Sequence, residues 1–289
     1  MTALLDKISN LLEMIKFSHT VFAFPFALMG VVLASLASGS APNAGQIFWI
    51  CLAMIGARSG AMGLNRLIDA RIDAENPRTA QRHLPAGMVS RKEAWLFVLA
   101  SFAVLLFAAW MLNPLCFYLA PVAFFLFVLY AYCKRFTALA HVVLGICLAA
   151  APIGAWIALR GDIQWPVLVL GLAVLFWVAG FDIFYALQDY EFDREKGLHS
   201  IPVRLGIRRS ILLVRAFHVM MVFLLLLLPL GISLGGIYLS GVAVVAALLV
   251  YEHRMVSAND LSRLDAAFFN MNGYISVTIF LFTFVDALA

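Results

Sequence analysis

A chain of 289 residues that is 64% hydrophobic and 12% charged, with a mean hydropathy of +0.97, lacks the composition of a soluble protein. Soluble domains are nearer one half apolar and about 25% charged. The composition predicts an integral membrane protein with the lipid bilayer as its solvent. The formal net charge of +4 comes without a basic stretch interleaved with aromatic residues, so we expect no nucleic-acid partner, and the sequence implies no protein partner.

Apolar stretches long enough to cross a membrane recur along the whole chain. A hydrocarbon core of about 30 Å requires about 20 apolar helical residues, which predicts about nine transmembrane helices. The predicted spans are residues 18–38, 45–64, 94–112, 115–133, 138–158, 164–186, 210–230, 233–252 and 266–286. The turns at Asn113–Pro114 and at Gly231 are short and flanked by apolar residues, which leaves open whether each adjoining pair is one segment.

The basic residues of the loops are distributed unequally between the two sides of the membrane. With nine spans, one side carries nearly all the loop Lys and Arg residues, and the other carries essentially Arg160. The positive-inside rule then predicts a cytoplasmic amino terminus. Two long polar loops, residues 66–93 and 187–209, face the cytoplasm in this topology. Long loops in compact proteins tend to carry function.

An acidic cluster marks the start of each long polar loop. In the first, Asn65, Asp69 and Asp73 are spaced i, i+4 and i+8, so they share one face if the helix continues through them. Arg58 extends this face into the membrane.

The second cluster has a similar arrangement, with Asp182, Tyr185, Asp189 and Asp193 at i, i+3, i+7 and i+11. This spacing also places the side chains on one stripe of a continuous helix. We expect the two acidic stripes to face one shared interior.

Carboxylates at this spacing repel one another, so the clusters indicate a bound cation. Oxygen ligands favour hard ions, and Mg²⁺ binds through few carboxylates together with the phosphate oxygens of a substrate. Arg58, Lys134 and Arg135 supply the positive charge that a metal-bridged diphosphate also requires. A diphosphate site within a membrane protein implies a substrate with a lipid tail.

These motifs resemble those of the UbiA family of intramembrane prenyltransferases. The family's first motif, Asn-x-x-x-Asp-x-x-x-Asp, appears as Asn65, Asp69 and Asp73, and its second, Asp-x-x-x-Asp, as Asp189 and Asp193. A third element, Tyr-x-x-x-Lys-Arg-x-Thr, appears as Tyr130, Lys134, Arg135 and Thr137. The sequence departs from the family at Arg66, where many members carry a second acid. The resemblance implies a single domain over residues 1–289, with nine helices around a central cavity.

Within the family, NRLIDARIDAENPRT and RHLPAG are most similar to bacterial 4-hydroxybenzoate polyprenyltransferases and their relatives in the futalosine route to menaquinone. The resemblance implies Mg²⁺-dependent transfer of a polyprenyl group from polyprenyl diphosphate to the ring of this aromatic acid acceptor, in the bacterial inner membrane. A dihydroxynaphthoate is the alternative acceptor.

The implied roles cover both motifs. Asp69, Asp73, Asp189 and Asp193 would bind metal and, together with Asp182, act in catalysis. Asn65, Arg58 and Lys134 contact the diphosphate. Arg135 and Asp182 hold the aromatic acid, with Tyr185 also in the substrate site.

Two other classes of membrane protein use intramembrane acids. CDP-alcohol phosphotransferases carry a characteristic acidic motif, with paired Asp-Gly and Ala-Arg elements, which is absent from this sequence. A cation-coupled transporter would place its acids near the midplane of the bilayer. Here the acids lie at the cytoplasmic ends of the predicted helices, and the central spans have almost no ionisable residues, so an enzyme is the favoured interpretation.

Overall fold

The computed structural model describes residues 9–15, 24–256, 261, 264 and 270–289, and this part of the chain is helical, with no β-strand. Residues 9–14 form a short helical segment that precedes the main elements. The helices are α1 Phe24–Ser38, α2 Ala44–Glu75, α3 Arg91–Leu112, α4 Pro114–Cys133, α5 Ala140–Arg160, α6 Trp165–Ala186, α7 Tyr190–Glu195, α8 Ile201–Leu205, α9 Ile207–Leu227, α10 Gly236–Met255 and α11 Asn272–Leu288. The prediction of an all-α membrane protein is confirmed.

Seven helical segments in the described residues are long and apolar enough to cross a bilayer. They are Ala44–Glu75, Arg91–Leu112, Pro114–Cys133, Ala140–Arg160, Trp165–Glu195, Ile207–Leu230 and Gly236–Met255. The first and last predicted spans appear as the shorter apolar helices α1 and α11, and their residues 18–23 and 266–269 lie outside the described part of the chain. The protein is therefore multi-pass, and the count of nine spans stays a prediction.

The helix pairs that adjoin Asn113–Pro114 and Gly231 are each divided into two helices in the structure. The backbone of Asn113 is extended, and Pro114 begins α4, where its missing N–H costs nothing. The Asn113 side chain accepts a hydrogen bond from the Cys116 N–H at 3.0 Å. Residues 231–235 likewise separate α9 from α10.

One compact unit contains α2, α3 and α4, together with the helical segment of residues 9–14. Ser90 begins α3 with a capping box, in which its side chain and that of Glu93 each bond the other's backbone N–H. Helices α2 and α3 approach closely at Gly56, where an added Cβ would lie 2.7 Å from the Ser101 carbonyl oxygen. This packing fixes the helix that carries the first acidic motif.

The other compact unit comprises Val21–Asn43 and Cys133–Ala289, and contains α1 and α5 to α11. Its core surrounds α6, whose Trp177 is fully buried and packs on Phe26 at 4.9 Å and on Phe181 at 5.0 Å between ring centroids. An all-round apolar helix is stable only when protein or lipid covers every face. The polar residues at the end of α6 are therefore held by a rigid, buried element.

Helices α1 and α5 of this unit approach each other at a glycine. A Cβ on Gly30 would collide with the backbone of Pro152, whereas a Cβ on Gly154, also in α5, would meet no atom within 4 Å. Small residues that allow close backbone approach are the usual basis of helix packing in membranes.

Gly30→Ala should therefore destabilise the protein by about 1 to 3 kcal/mol through overpacking. The matched variant Gly154→Ala should be neutral or stabilising by up to about 1 kcal/mol, because alanine is the better helix former. Thermal unfolding of the purified protein in detergent measures both. Equal melting temperatures for the two variants would contradict the close approach.

Candidate active site

The first acidic motif lies on one face of a continuous helix, as its spacing predicted. Helix α2 runs to Glu75, so the expectation of a polar loop from residue 66 is wrong, and the loop begins at Asn76. Buried Leu64 and Leu67 keep this stretch helical, and Pro77 ends it, since proline disfavours helical backbone in the residue before it. Within the motif, the Asn65 amide donates a hydrogen bond to Asp69 at 3.2 Å.

A loop residue neutralises the last acid of this motif. The Arg82 Nη1 donates to both carboxylate oxygens of Asp73 at 2.8 Å, and the Asp73 side chain is only 6% exposed. The Thr79 hydroxyl donates to the Asp73 carbonyl oxygen at 3.0 Å, which holds the loop against the end of α2. The sequence places Arg82 nine residues beyond Asp73 in a loop, a separation that predicts no contact.

Arg66, where the sequence departs from the family motif, has a structural contact. Its Nε donates to the Met14 carbonyl oxygen at 3.3 Å. Arg66 therefore links the helical segment of residues 9–14 to α2 through a hydrogen bond. Arg58, two turns before Asn65 on the same face of α2, is half-buried.

The second acidic motif is not one continuous helix. Helix α6 ends at Ala186, a 3₁₀ turn covers Leu187–Asp189, and α7 begins at Tyr190. The prediction of an unbroken stripe is wrong in this respect. A 3₁₀ turn advances about 120° per residue against about 100° in an α-helix, so three residues rotate the following side chains by about 60°. Asp182 and Tyr185 lie on α6, Asp189 ends the turn, and Asp193 lies on α7.

The chain after α7 turns back to bring basic and polar groups to Asp193. Gly197 has a positive φ of 66°, and the His199 N–H donates to the Lys134 carbonyl oxygen at 2.8 Å. Asp193 is thereby close to the like charge of Asp189 and to the compensating charge of Lys134. The structure brings these three predicted site residues together.

Asp182 is paired with a histidine that sequence reasoning missed. The Nδ1 of His141 lies 2.7 Å from a carboxylate oxygen of Asp182, and the imidazole is buried. The Nε2 of His141 accepts a hydrogen bond from the Ile201 N–H at 3.4 Å. His141 lies six residues after Arg135 of the Lys134–Arg135 element, and this nearness in the chain is a signal in the sequence that could have drawn attention to it.

A cleft of about 410 Å³ lies beside this group of residues. It is lined by Phe136, Thr137, Ala138, His199, Ser200, Val203 and Arg204. Its lining combines apolar side chains with the hydroxyls of Thr137 and Ser200 and the guanidinium of Arg204.

The arrangement of the acids suits a metal that takes few protein ligands. In the part of the chain that the structure describes, no three His, Cys, Asp or Glu side chains are grouped closely enough to hold an ion by themselves. Mg²⁺ is usually bound through one or two carboxylates, with water and phosphate oxygens completing its octahedron. Carboxylates of both motifs have the ligand chemistry for this kind of binding, and that of Asp73 is also paired with Arg82.

Comparisons with known proteins agree with the motifs. The UbiA prenyltransferase family matches residues 23–274. A 4-hydroxybenzoate octaprenyltransferase of Vibrio cholerae is 31% identical over 245 residues, which cover 84% of this chain and 85% of the relative. A protoheme IX farnesyltransferase of Korarchaeum cryptofilum is 32% identical over 238 residues, which cover 81% and 78%.

Solved structures share the fold. A UbiA homolog from Aeropyrum pernix K1 in its apo form has a TM-score of 0.84 and 32% sequence identity, covering 93% of this chain and 98% of that one. A UbiA homolog from Archaeoglobus fulgidus bound to DMAPP and Mg²⁺ has a TM-score of 0.73 and 19% identity, covering 97% and 99%. At this lower identity the likeness shows the fold alone.

Removing Arg82 should destabilise the protein, because the buried Asp73 carboxylate would lose its charged partner. We expect Arg82→Ala to cost about 1 to 3 kcal/mol. Arg71→Ala is the matched control, since the Arg71–Glu75 pair is exposed and should contribute less than about 1 kcal/mol. Thermal unfolding in detergent measures the difference. If the control unfolded as early as Arg82→Ala, the stabilising role of the Arg82–Asp73 pair would be wrong.

Proposed function

Because the chain belongs to the UbiA prenyltransferase family, we propose that it transfers a polyprenyl group from polyprenyl diphosphate to the ring of 4-hydroxybenzoate. The observation that carries the proposal is the presence of both acidic motifs at helix ends, in a chain similar to 4-hydroxybenzoate octaprenyltransferases over most of its length. The enzyme acts as one UbiA-like domain.

Asp69, Asp73, Asp189 and Asp193 bind Mg²⁺ in this proposal, and Asn65 orients Asp69 through its hydrogen bond. The metal, when bound, neutralises the diphosphate and stabilises it as a leaving group. Arg58 on α2 and Lys134 beside Asp193 contact the diphosphate oxygens directly. These basic residues stabilise the negative charge that develops on the diphosphate as the allylic C–O bond breaks.

The acceptor is held at its two polar ends. Arg135 pairs with its carboxylate, while Asp182 accepts a hydrogen bond from its phenol hydroxyl and so enriches the ortho carbon in electrons. Tyr185, one turn further along α6, also contacts the substrate. The allylic C–O bond breaks and diphosphate leaves with the bonding electrons, the ortho carbon attacks the resulting allylic cation, and the ring proton passes to the released diphosphate or to water, which restores aromaticity.

In this proposal the two substrates reach the active site by different routes. The basic loops and the amino terminus face the cytoplasm of a bacterial inner membrane, so the water-soluble acceptor enters from that side. The polyprenyl tail remains in the bilayer or the apolar interior of the protein, where water is excluded from the allylic cation.

A dihydroxynaphthoate is the alternative acceptor, since it offers the same carboxylate and hydroxyl groups. Because the chain is also similar to a protoheme IX farnesyltransferase, a porphyrin is a further acceptor to compare in the assay. Membership in a prenyltransferase family leaves the transporter interpretation without support.

The acceptor is identified by diphosphate release from purified protein with geranyl diphosphate and Mg²⁺. We expect release that depends on 4-hydroxybenzoate and little release with a dihydroxynaphthoate, protohaem IX or no acceptor. Product mass should equal the acid plus one geranyl group less one hydrogen. Release with only one of the other acceptors would reassign the substrate, and release with none would overturn the proposed function.

The acidic motifs are tested by Asp69→Asn and Asp189→Asn, which keep side-chain shape and remove charge. Each should lower kcat by roughly 10² or more, as expected for loss of transition-state charge stabilisation. Glu75→Gln and Glu191→Gln are matched controls, because both exposed carboxylates lie next to the motifs, and they should retain near-normal turnover. Normal turnover in either Asp variant, at an unchanged melting temperature, would refute the role of that motif.

A further inference from the structure

A buried imidazole lies behind one of the proposed acceptor-binding residues. His141 is 4% exposed, and its Nδ1 lies 2.7 Å from the Asp182 carboxylate. Burying an imidazole costs free energy unless both ring nitrogens are hydrogen-bonded. Here both are, since Nε2 receives the Ile201 N–H.

The two contacts fix the tautomer of His141. A backbone N–H can only donate, so Nε2 must accept from Ile201 and carry no proton itself. The ring proton then resides on Nδ1, where it points at Asp182. An ionised carboxylate can only accept, which matches this direction at 2.7 Å. His141 thus donates from Nδ1 to Asp182.

The same ring connects three parts of the protein. His141 lies on α5 and Asp182 on α6, while Ile201 begins α8, directly after the segment that follows the second acidic motif. Ser200, the residue before it, caps α8 by accepting the Val203 N–H at 3.3 Å and lies close to Asp193. One imidazole therefore sets the orientation of Asp182 relative to the chain that carries Asp193.

We propose that His141 is a positioning residue that holds one oxygen of Asp182, so that the other is directed at the acceptor hydroxyl. This inference rests on the proposed function, because it assigns the acceptor contact to Asp182. The competing interpretation is that His141 only fills the core between α5 and α6. The two interpretations predict different outcomes for variants that keep one ring nitrogen each.

Substitution of His141 by asparagine or by glutamine tests its two ring nitrogens separately. The amide of His141→Asn reaches the position of Nδ1 and can still donate to Asp182, whereas that of His141→Gln reaches the position of Nε2. We expect His141→Gln to lower kcat/KM for 4-hydroxybenzoate by roughly 10- to 100-fold, since small misplacements near the reacting atoms have effects of this size. His141→Asn should retain most of the activity. The KM for geranyl diphosphate should be unchanged in both.

The same two substitutions in an Asp182→Asn background complete the test. If His141 acts through Asp182, His141→Gln should add no more than about a twofold loss there, because the effects of coupled residues are not additive. Equal losses for His141→Asn and His141→Gln, or losses that multiply in the Asp182→Asn background, would overturn the proposal. If His141→Gln fails to fold, the test uses His141→Asn by itself. Activity of His141→Asn above that of Asp182→Asn supports the proposal. Activity at or below that of Asp182→Asn overturns it.

Failure of the proposed function gives a different result. Absence of turnover by the unmodified protein with every acceptor would refute that function and the acceptor role of Asp182. The pairing itself is then judged by melting temperatures of His141→Gln, Asp182→Asn and the double variant. A double variant no less stable than the worse single variant supports the pair, and fully additive losses refute it.

Discussion

A carboxylate at the end of a membrane-spanning helix must find a charged or hydrogen-bonding partner, and this constraint governs the site. A buried carboxylate that is left without such a partner costs about 1 to 3 kcal/mol. The neighbours that meet this requirement are Asn65 for Asp69, Arg82 for Asp73, His141 for Asp182 and Lys134 for Asp193. These four acids, of those that are proposed to bind metal or acceptor, are thus held in place by the protein.

Helix length determines where these acids lie. At 1.5 Å per residue, the 32 residues of α2 extend about 48 Å, well beyond a hydrocarbon core of about 30 Å. The helix is therefore long enough for its polar last turns to extend beyond the hydrocarbon core. Helix α6 is the most deeply buried of the candidate spans, and its polar end carries Asp182 and Tyr185 on a rigid support. Stable positioning of this kind favours catalysis.

Sequence reasoning found the parts of the site that depend on local periodicity. Asn65, Asp69 and Asp73 share a helix face because residues four apart always do. The contacts that it missed depend on folding: His141 and Asp182 are 41 residues apart, and Arg82 returns to Asp73 from a loop. The 3₁₀ turn at Leu187–Asp189 was also missed, because hydrophobic spacing alone does not distinguish a tightened turn from an α-helix.

We propose that both acidic motifs bind the same Mg²⁺–diphosphate group. Calorimetric titration with geranyl S-thiolodiphosphate, which is slow to react, measures this binding without an acceptor. We expect tight binding of this analogue only when Mg²⁺ is present, and a large loss of affinity for it in both Asp73→Asn and Asp193→Asn. Binding of equal affinity without the metal, or a loss of affinity in one variant alone, would contradict it.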